Sequence, residues 1–318
     1  MACDGKLLIT PNGILKLIEL VLGCIILGLY VAEPMGMYQI PQDNATNRDR
    51  PLRLPWDRLY MTIFGGYIFI ITGFIASYSY GTKLKLPELF LSLLGGCFYF
   101  VCSVSLLVFA TRDRPNNLPN DTEYERTQTF AKASGSLALF QSIAYFIDLV
   151  FLAMDTKSEQ KPQMTMSMIN TPQGVLKFLE ILFAAICLAV YVREPMGIAI
   201  EGDTLQNVIV NGYPWPWDRL YMSVFGGFVF IISGYLIAYA YGFKTMLPEV
   251  YHSVVGAAFY FTCGVSLLVF ASRELSNDAE RFHVFGKAVG SFAILQTVAY
   301  VIDAVFGFLD KPTKILNF

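Results

Sequence analysis

The segment TPNGILKLIELVLGCIILGLYVAEPMG, which begins at Thr10, returns as TPQGVLKFLEILFAAICLAVYVREPMG from Thr171. The same offset of 161 residues relates PWDRLYMTIFGGYIFIITGFIASYSYG at Pro55 to PWDRLYMSVFGGFVFIISGYLIAYAYG at Pro216, and LPE at Leu86 to LPE at Leu247. It then falls to 155, where AKASGSLALFQSIAYFID at Ala131 meets GKAVGSFAILQTVAYVID at Gly286, so the second copy has a loop six residues shorter. A chain that repeats itself over this length folds as one unit built twice. The expected domains are residues 1–155, a linker at 156–170, and a second unit at 171–318. Met164, Met166 and Met168 stand just before the second unit, so a true internal duplication and two neighbouring genes joined in one reading would look alike.

Each unit holds four long apolar stretches, expected at 13–32, 59–80, 88–110 and 131–154, then at 174–192, 220–241, 249–271 and 286–309. A helix of ~20 residues rises ~30 Å, the thickness of the hydrocarbon layer. The stretches are continuously apolar rather than alternating and are about twice the length of a barrel strand, which excludes a β-barrel. Composition agrees: 55% of the 318 residues are hydrophobic and 15% charged, with a mean hydropathy of +0.50, whereas soluble domains carry about a quarter charged residues. The fold class expected is an all-α membrane protein with eight transmembrane helices, arranged as two tandem four-helix bundles. An even number of spans per unit gives both units the same orientation and excludes inverted repeats between them. The first stretch could pass for a signal peptide, but its counterpart at 174–192 lies in mid-chain, where none works.

The long connections at 33–58, 111–130, 193–219 and 272–285 fall on one side, and both termini fall on the other. Basic residues do not settle the orientation: ten lysines lie on the termini side, against eleven arginines with Lys132 and Lys287 opposite. The two N-x-S/T triplets, at Asn44 and Asn120, both fall in long loops. They mark those loops as extracellular and glycosylated, and the termini as cytosolic. No cysteine lies in a long loop, which argues against a claudin-type or tetraspanin-type disulfide framework.

Charged groups inside a membrane span ask for partners. Lys16 and Glu19 share a helix face and recur as Lys177 and Glu180; Asp148 recurs as Asp303. The depths are compatible with a Lys16–Asp148 ion pair beside Glu19, repeated as Lys177–Asp303 beside Glu180, clamping the first and fourth helices of each unit. Ser134, Ala138, Gln141, Tyr145 and Asp148 form one face of the fourth helix, repeated as Val289, Ala293, Gln296, Tyr300 and Asp303. That face either lines a pathway or packs inward, and small and polar residues more often pack inward. Gly66, Gly73 and Ser77 read as a helix-packing surface. At the outer boundary Trp56 and Trp217 fit the aromatic belt. Glu33 and Arg58 fall at similar depth, where a bridge between them would close the base of the loop, with Asp57 beside Arg58; Glu194, Asp218 and Arg219 repeat the pattern.

No phosphate loop, zinc motif or nucleophile elbow is present, and the net charge of −2 gives no case for nucleic acid. The chain reads as non-enzymatic, with no cofactor and no metal site. Its expected partners are the lipid bilayer and other four-span or junctional membrane proteins, met through helices and outer loops.

With GILKLIELVLGCIILGLYV opening the unit, cytosolic termini, two outer loops without cysteines and a last helix ending near an acidic residue, each unit resembles four-span proteins of the MARVEL type. It is most similar to the arthropod septate-junction tetraspans of the pasiflora and snakeskin kind, which are about one unit long. The resemblance implies a plasma-membrane, lateral and junctional location and a part in the paracellular barrier. Two alternatives stand beside it: a small-solute or ion transporter using Lys16, Glu19, Gln141 and Asp148, and a MARVEL-type trafficking protein.

Overall fold

The computed structural model describes residues 5–32, 54–83, 85–111, 121–156, 169, 171–193, 215–243, 246–272 and 280–309, without the side chains of 54–57, 121–124, 155–156, 193, 215–218, 246 and 280–283. Its described residues are helical, with no strand among them. A short 3-10 helix, Lys6–Ile9, leads into α1 (Pro11–Ala32), α2 (Leu54–Ser79), α3 (Lys85–Ala110) and α4 (Asp121–Thr156). The second series is α5 (Pro172–Arg193), α6 (Trp215–Ala240), α7 (Met246–Ala271) and α8 (Glu280–Leu309). All eight are long and apolar enough to cross a membrane. The chain divides into two compact units, Met1–Glu159 and Gln160–Phe318.

Within the first unit α1 packs on α2 and α4, and α3 on α2 and α4, closing a four-helix ring; α5 to α8 close the same ring in the second. The helices run up and down. The start of α1 meets the end of α4 through Lys16 and Asp148, and its end meets the start of α2 through the Tyr30 and Tyr60 rings.

Local chemistry explains the boundaries. Each unit opens on Thr-Pro-x-Gly. Thr10 Oγ1 accepts the Gly13 N–H at 3.3 Å and Thr171 Oγ1 accepts that of Gly174 at 3.2 Å. A capping threonine followed by proline at the first helical position is a helix start, so α1 and α5 begin two residues ahead of the apolar run. α2 ends on Gly81 at φ 74°. There the Gly81 N–H reaches the Tyr78 carbonyl and the Thr82 N–H reaches the Ser77 carbonyl, each at 3.0 Å. Gly242, at φ 75°, repeats this on α6. This pair of bonds caps the helix through a left-handed residue that glycine adopts without strain.

Four expected boundaries are corrected. α4 begins at Asp121 rather than 131, α8 at Glu280 rather than 286, α2 at Leu54 rather than 59, and α6 at Trp215 rather than 220. The added turns are polar or contain Pro55 or Pro216. Hydropathy marks where the bilayer-compatible run ends, whereas a helix continues into polar sequence as long as its backbone bonds are made, and proline is tolerated in a first turn. α4 spans 36 residues, about 54 Å at 1.5 Å per residue, well beyond the hydrocarbon layer.

Candidate functional site

α1 buries Asn12, Lys16, Glu19, Gly23, Ile26 and Tyr30, a run of alternating four- and three-residue steps that forms one helix face. That face carries Lys16 into the bundle. Its Nζ stands 2.6 Å from Asp148 Oδ2 on α4, 3.0 Å from Glu19 Oε2 on its own helix and 3.7 Å from Glu88 Oε1 on α3. Ser92, one turn along α3 from Glu88, donates to Asp148 Oδ2 at 2.7 Å and accepts from Lys16 Nζ at 3.3 Å. Tyr78, at the end of α2, donates to Glu88 Oε1 at 2.7 Å. One ammonium thus joins all four helices of the unit. Lys16, Glu19, Glu88 and Asp148 are each 0–1% exposed.

The second unit repeats the arrangement. Lys177 Nζ lies 2.6 Å from Asp303 Oδ2 and 3.0 Å from Glu180 Oε2, and Ser253 donates to Asp303 Oδ2. Glu249 and Tyr239 occupy the positions of Glu88 and Tyr78. Two substitutions alter the surroundings: Tyr235 stands where the first unit has Phe74, and His252 where it has Leu91. They arrive together, with the Tyr235 hydroxyl 2.5 Å from His252 Nδ1. The Lys16 ammonium lies over the Phe74 ring at 5.4 Å, and Lys177 over Tyr235 at 5.5 Å.

Above the ion cluster the bundle is filled with rings. Tyr67, Tyr99 and Tyr145 stand mutually 5.5–5.7 Å apart, as do Phe228, Tyr260 and Tyr300 at 5.4–5.7 Å. Tyr30, Tyr60 and Phe64 form the next layer, and Tyr191, Tyr221 and Phe225 repeat it. These rings are accommodated by glycine. A Cβ on Gly95 would lie 2.7 Å from Tyr67 Cε1, and one on Gly256 2.7 Å from Phe228 Cε1.

The expected site residues sort clearly. Lys16, Glu19 and Asp148 come together in one cluster, and so do Lys177, Glu180 and Asp303. Gln141 joins the first through its Nε2, which donates to the Glu19 backbone carbonyl at 3.0 Å; Gln296 is fully buried at the matching position. Ser134, Ala138, Tyr145 and their counterparts all face inward. Arg58 and Arg219 are buried at the start of α2 and α6. Glu33, Glu194, Asn44 and Asn120 lie outside the described residues, as do the side chains of Trp56, Asp57, Trp217 and Asp218. Among the described residues no group of His, Cys, Asp or Glu side chains could hold a metal ion.

Sequence reasoning missed Glu88, Ser92 and Tyr78 with their repeats, and the tyrosine core. One signal was available: Glu88 and Ser92, four apart on one helix face, recur as Glu249 and Ser253.

No curated protein and no solved structure matches the chain. Residues 7–151, nearly the whole first unit with its ion cluster, match the MARVEL family, described as a membrane-associating domain, and with eight helices of spanning length this makes the chain a membrane-associated multi-pass protein.

Proposed function

We propose that the protein is a non-enzymatic structural component of a cell junction, a plasma-membrane organiser with cytosolic termini that contributes to a paracellular barrier. The observation that carries the structural reading is the closed interior of each bundle. The charged side chains are tied to one another at near-zero exposure, and stacked rings occupy the layers beyond them. A packed core whose charged side chains face one another favours a scaffold over a transport pathway. The outward faces of α1, α4, α5 and α8 carry exposed valine, isoleucine, leucine and phenylalanine, suited to lipid and to neighbouring spans. The junctional assignment itself draws on the resemblance to septate-junction tetraspans, with Asn44 and Asn120 glycosylated on the outer side.

A second reading, membrane trafficking, is favoured equally by the family match at residues 7–151. One experiment separates them: tag the endogenous C-terminus, image it in a polarised epithelium, and follow tracer-dye leakage after depletion. Lateral signal with dye leakage is the expected result. Intracellular puncta with an intact barrier would replace the junctional reading by the trafficking one.

A further inference from the structure

We propose that Glu19 in the first unit and Glu180 in the second are proton-binding residues, each holding one proton on Oε1 in the folded protein at neutral pH. Charge balance is the first observation. Lys16 meets three carboxyl groups, Glu19, Glu88 and Asp148. Fully ionised, the four groups would carry two surplus negative charges at 0–1% exposure, and an uncompensated buried charge is strongly destabilising. Asp148 holds the shortest contact to Lys16 and a second bond from Ser92. Glu88 receives the Tyr78 hydroxyl. Glu19 keeps only one arm of the shared ammonium.

The second observation is independent of charge. Glu19 Oε1 and Gln141 Oε1 are both buried acceptors without a hydrogen-bond partner. They belong to neighbouring residues, because Gln141 Nε2 is bound to the carbonyl of Glu19 itself. The Tyr99 hydroxyl is likewise buried without a partner. An ionised carboxylate can only accept, whereas a neutral carboxyl has an O–H to donate. A proton on Glu19 therefore removes one of the two surplus charges and turns Oε1 from an acceptor without a donor into a donor itself. The reaction is simple uptake, a carboxylate and a hydronium ion giving a carboxylic acid and water.

The second unit repeats the ion cluster on a different background. Glu180 Oε1 is again a buried acceptor without a partner, while the Gln296 amide, unlike that of Gln141, leaves its Nε2 without one as well. Glu180 is faced by Lys177 on its own helix, Tyr235 on α6, Glu249 on α7, and Asp303 and Tyr300 on α8, with His252 behind Tyr235.

The test is infrared spectroscopy of the full chain in lipid at neutral pH. The expected spectrum contains the carbonyl stretch of an un-ionised carboxylic acid, shifted down in D2O. The double variant Glu19→Gln/Glu180→Gln, whose amide resembles the neutral acid in shape, should lose that band and keep the wild-type melting temperature. Glu88→Gln/Glu249→Gln should retain the band. A wild-type spectrum with no such band, as when an alkali cation balances the charge, overturns the proposal. So does a band that survives Glu19→Gln/Glu180→Gln at full strength.

Discussion

Asp148 and Lys16 are 132 residues apart in the chain and 2.6 Å apart in the fold. Breaking such a buried contact from one side strands a charge, at a cost of about 3–5 kcal/mol. Lys16→Gln should destabilise the detergent-solubilised protein by that order, and Asp148→Asn by less, because Lys16 keeps Glu19 and Glu88. The double variant should then fall short of their sum by ~1 kcal/mol or more, because the second change removes a charge the first had stranded. Denaturant titration of the four proteins measures this, and simple additivity would deny the contact. The cluster was half legible in the sequence. Lys16, Glu19 and Asp148 interrupt apolar runs, so each announces itself as a charge that needs a partner. Glu88 stands in the first turn of α3, where a carboxylate is already accounted for by the helix dipole, and only its recurrence with Ser92 as Glu249 and Ser253 sets it apart. Tyr67, Tyr99 and Tyr145 hide for another reason: an aromatic residue in an apolar stretch looks the same whether it faces lipid or the bundle centre.

Helix identity was readable because 20 apolar residues in a row have few other uses, while helix ends depended on capping rather than hydropathy. Thr10 and Pro11 set the start of α1, Gly81 the end of α2, and α4 continues through polar sequence from Asp121. The role of Gly95 was invisible, since close approach is a property of two elements. A side chain there meets Tyr67 and Tyr145 on the two helices that flank α3. Gly95→Val should therefore push α3 from its neighbours and destabilise by about 1–3 kcal/mol, the usual cost of overpacking. At Gly81 the neighbourhood is open, with nothing within 4 Å of an added Cβ. Gly81→Ala should cost about 1 kcal/mol through the left-handed backbone alone. Pairing Gly95→Val with Tyr67→Phe should not restore the loss, because the 2.7 Å approach is to a ring carbon that phenylalanine retains. Thermal melts in detergent distinguish the two glycines, with Gly81→Ala giving the smaller shift.

At the scale of the molecule, the internal repeat supplies a comparison that a single unit lacks. The ion pair, the aromatic layers and the glycine caps recur, while the positions of Phe74 and Leu91 hold Tyr235 and His252 as a bonded couple in the second unit. A hydroxyl introduced alone into that core would have been left without a partner, a penalty of about 1–3 kcal/mol that the histidine removes. Every ion-cluster contact described closes inside its own unit: Lys16 with Asp148 in Met1–Glu159, and Lys177 with Asp303 in Gln160–Phe318. Loss of one cluster should therefore loosen one bundle. Hydrogen exchange read peptide by peptide tests this on the intact chain. Lys16→Gln should accelerate exchange in α1 to α4 and leave α5 to α8 at wild-type rates, and Lys177→Gln should do the reverse. Acceleration in both units from either substitution would mean that the repeats fold as one cooperative body, in which a cluster in one bundle supports the helices of the other.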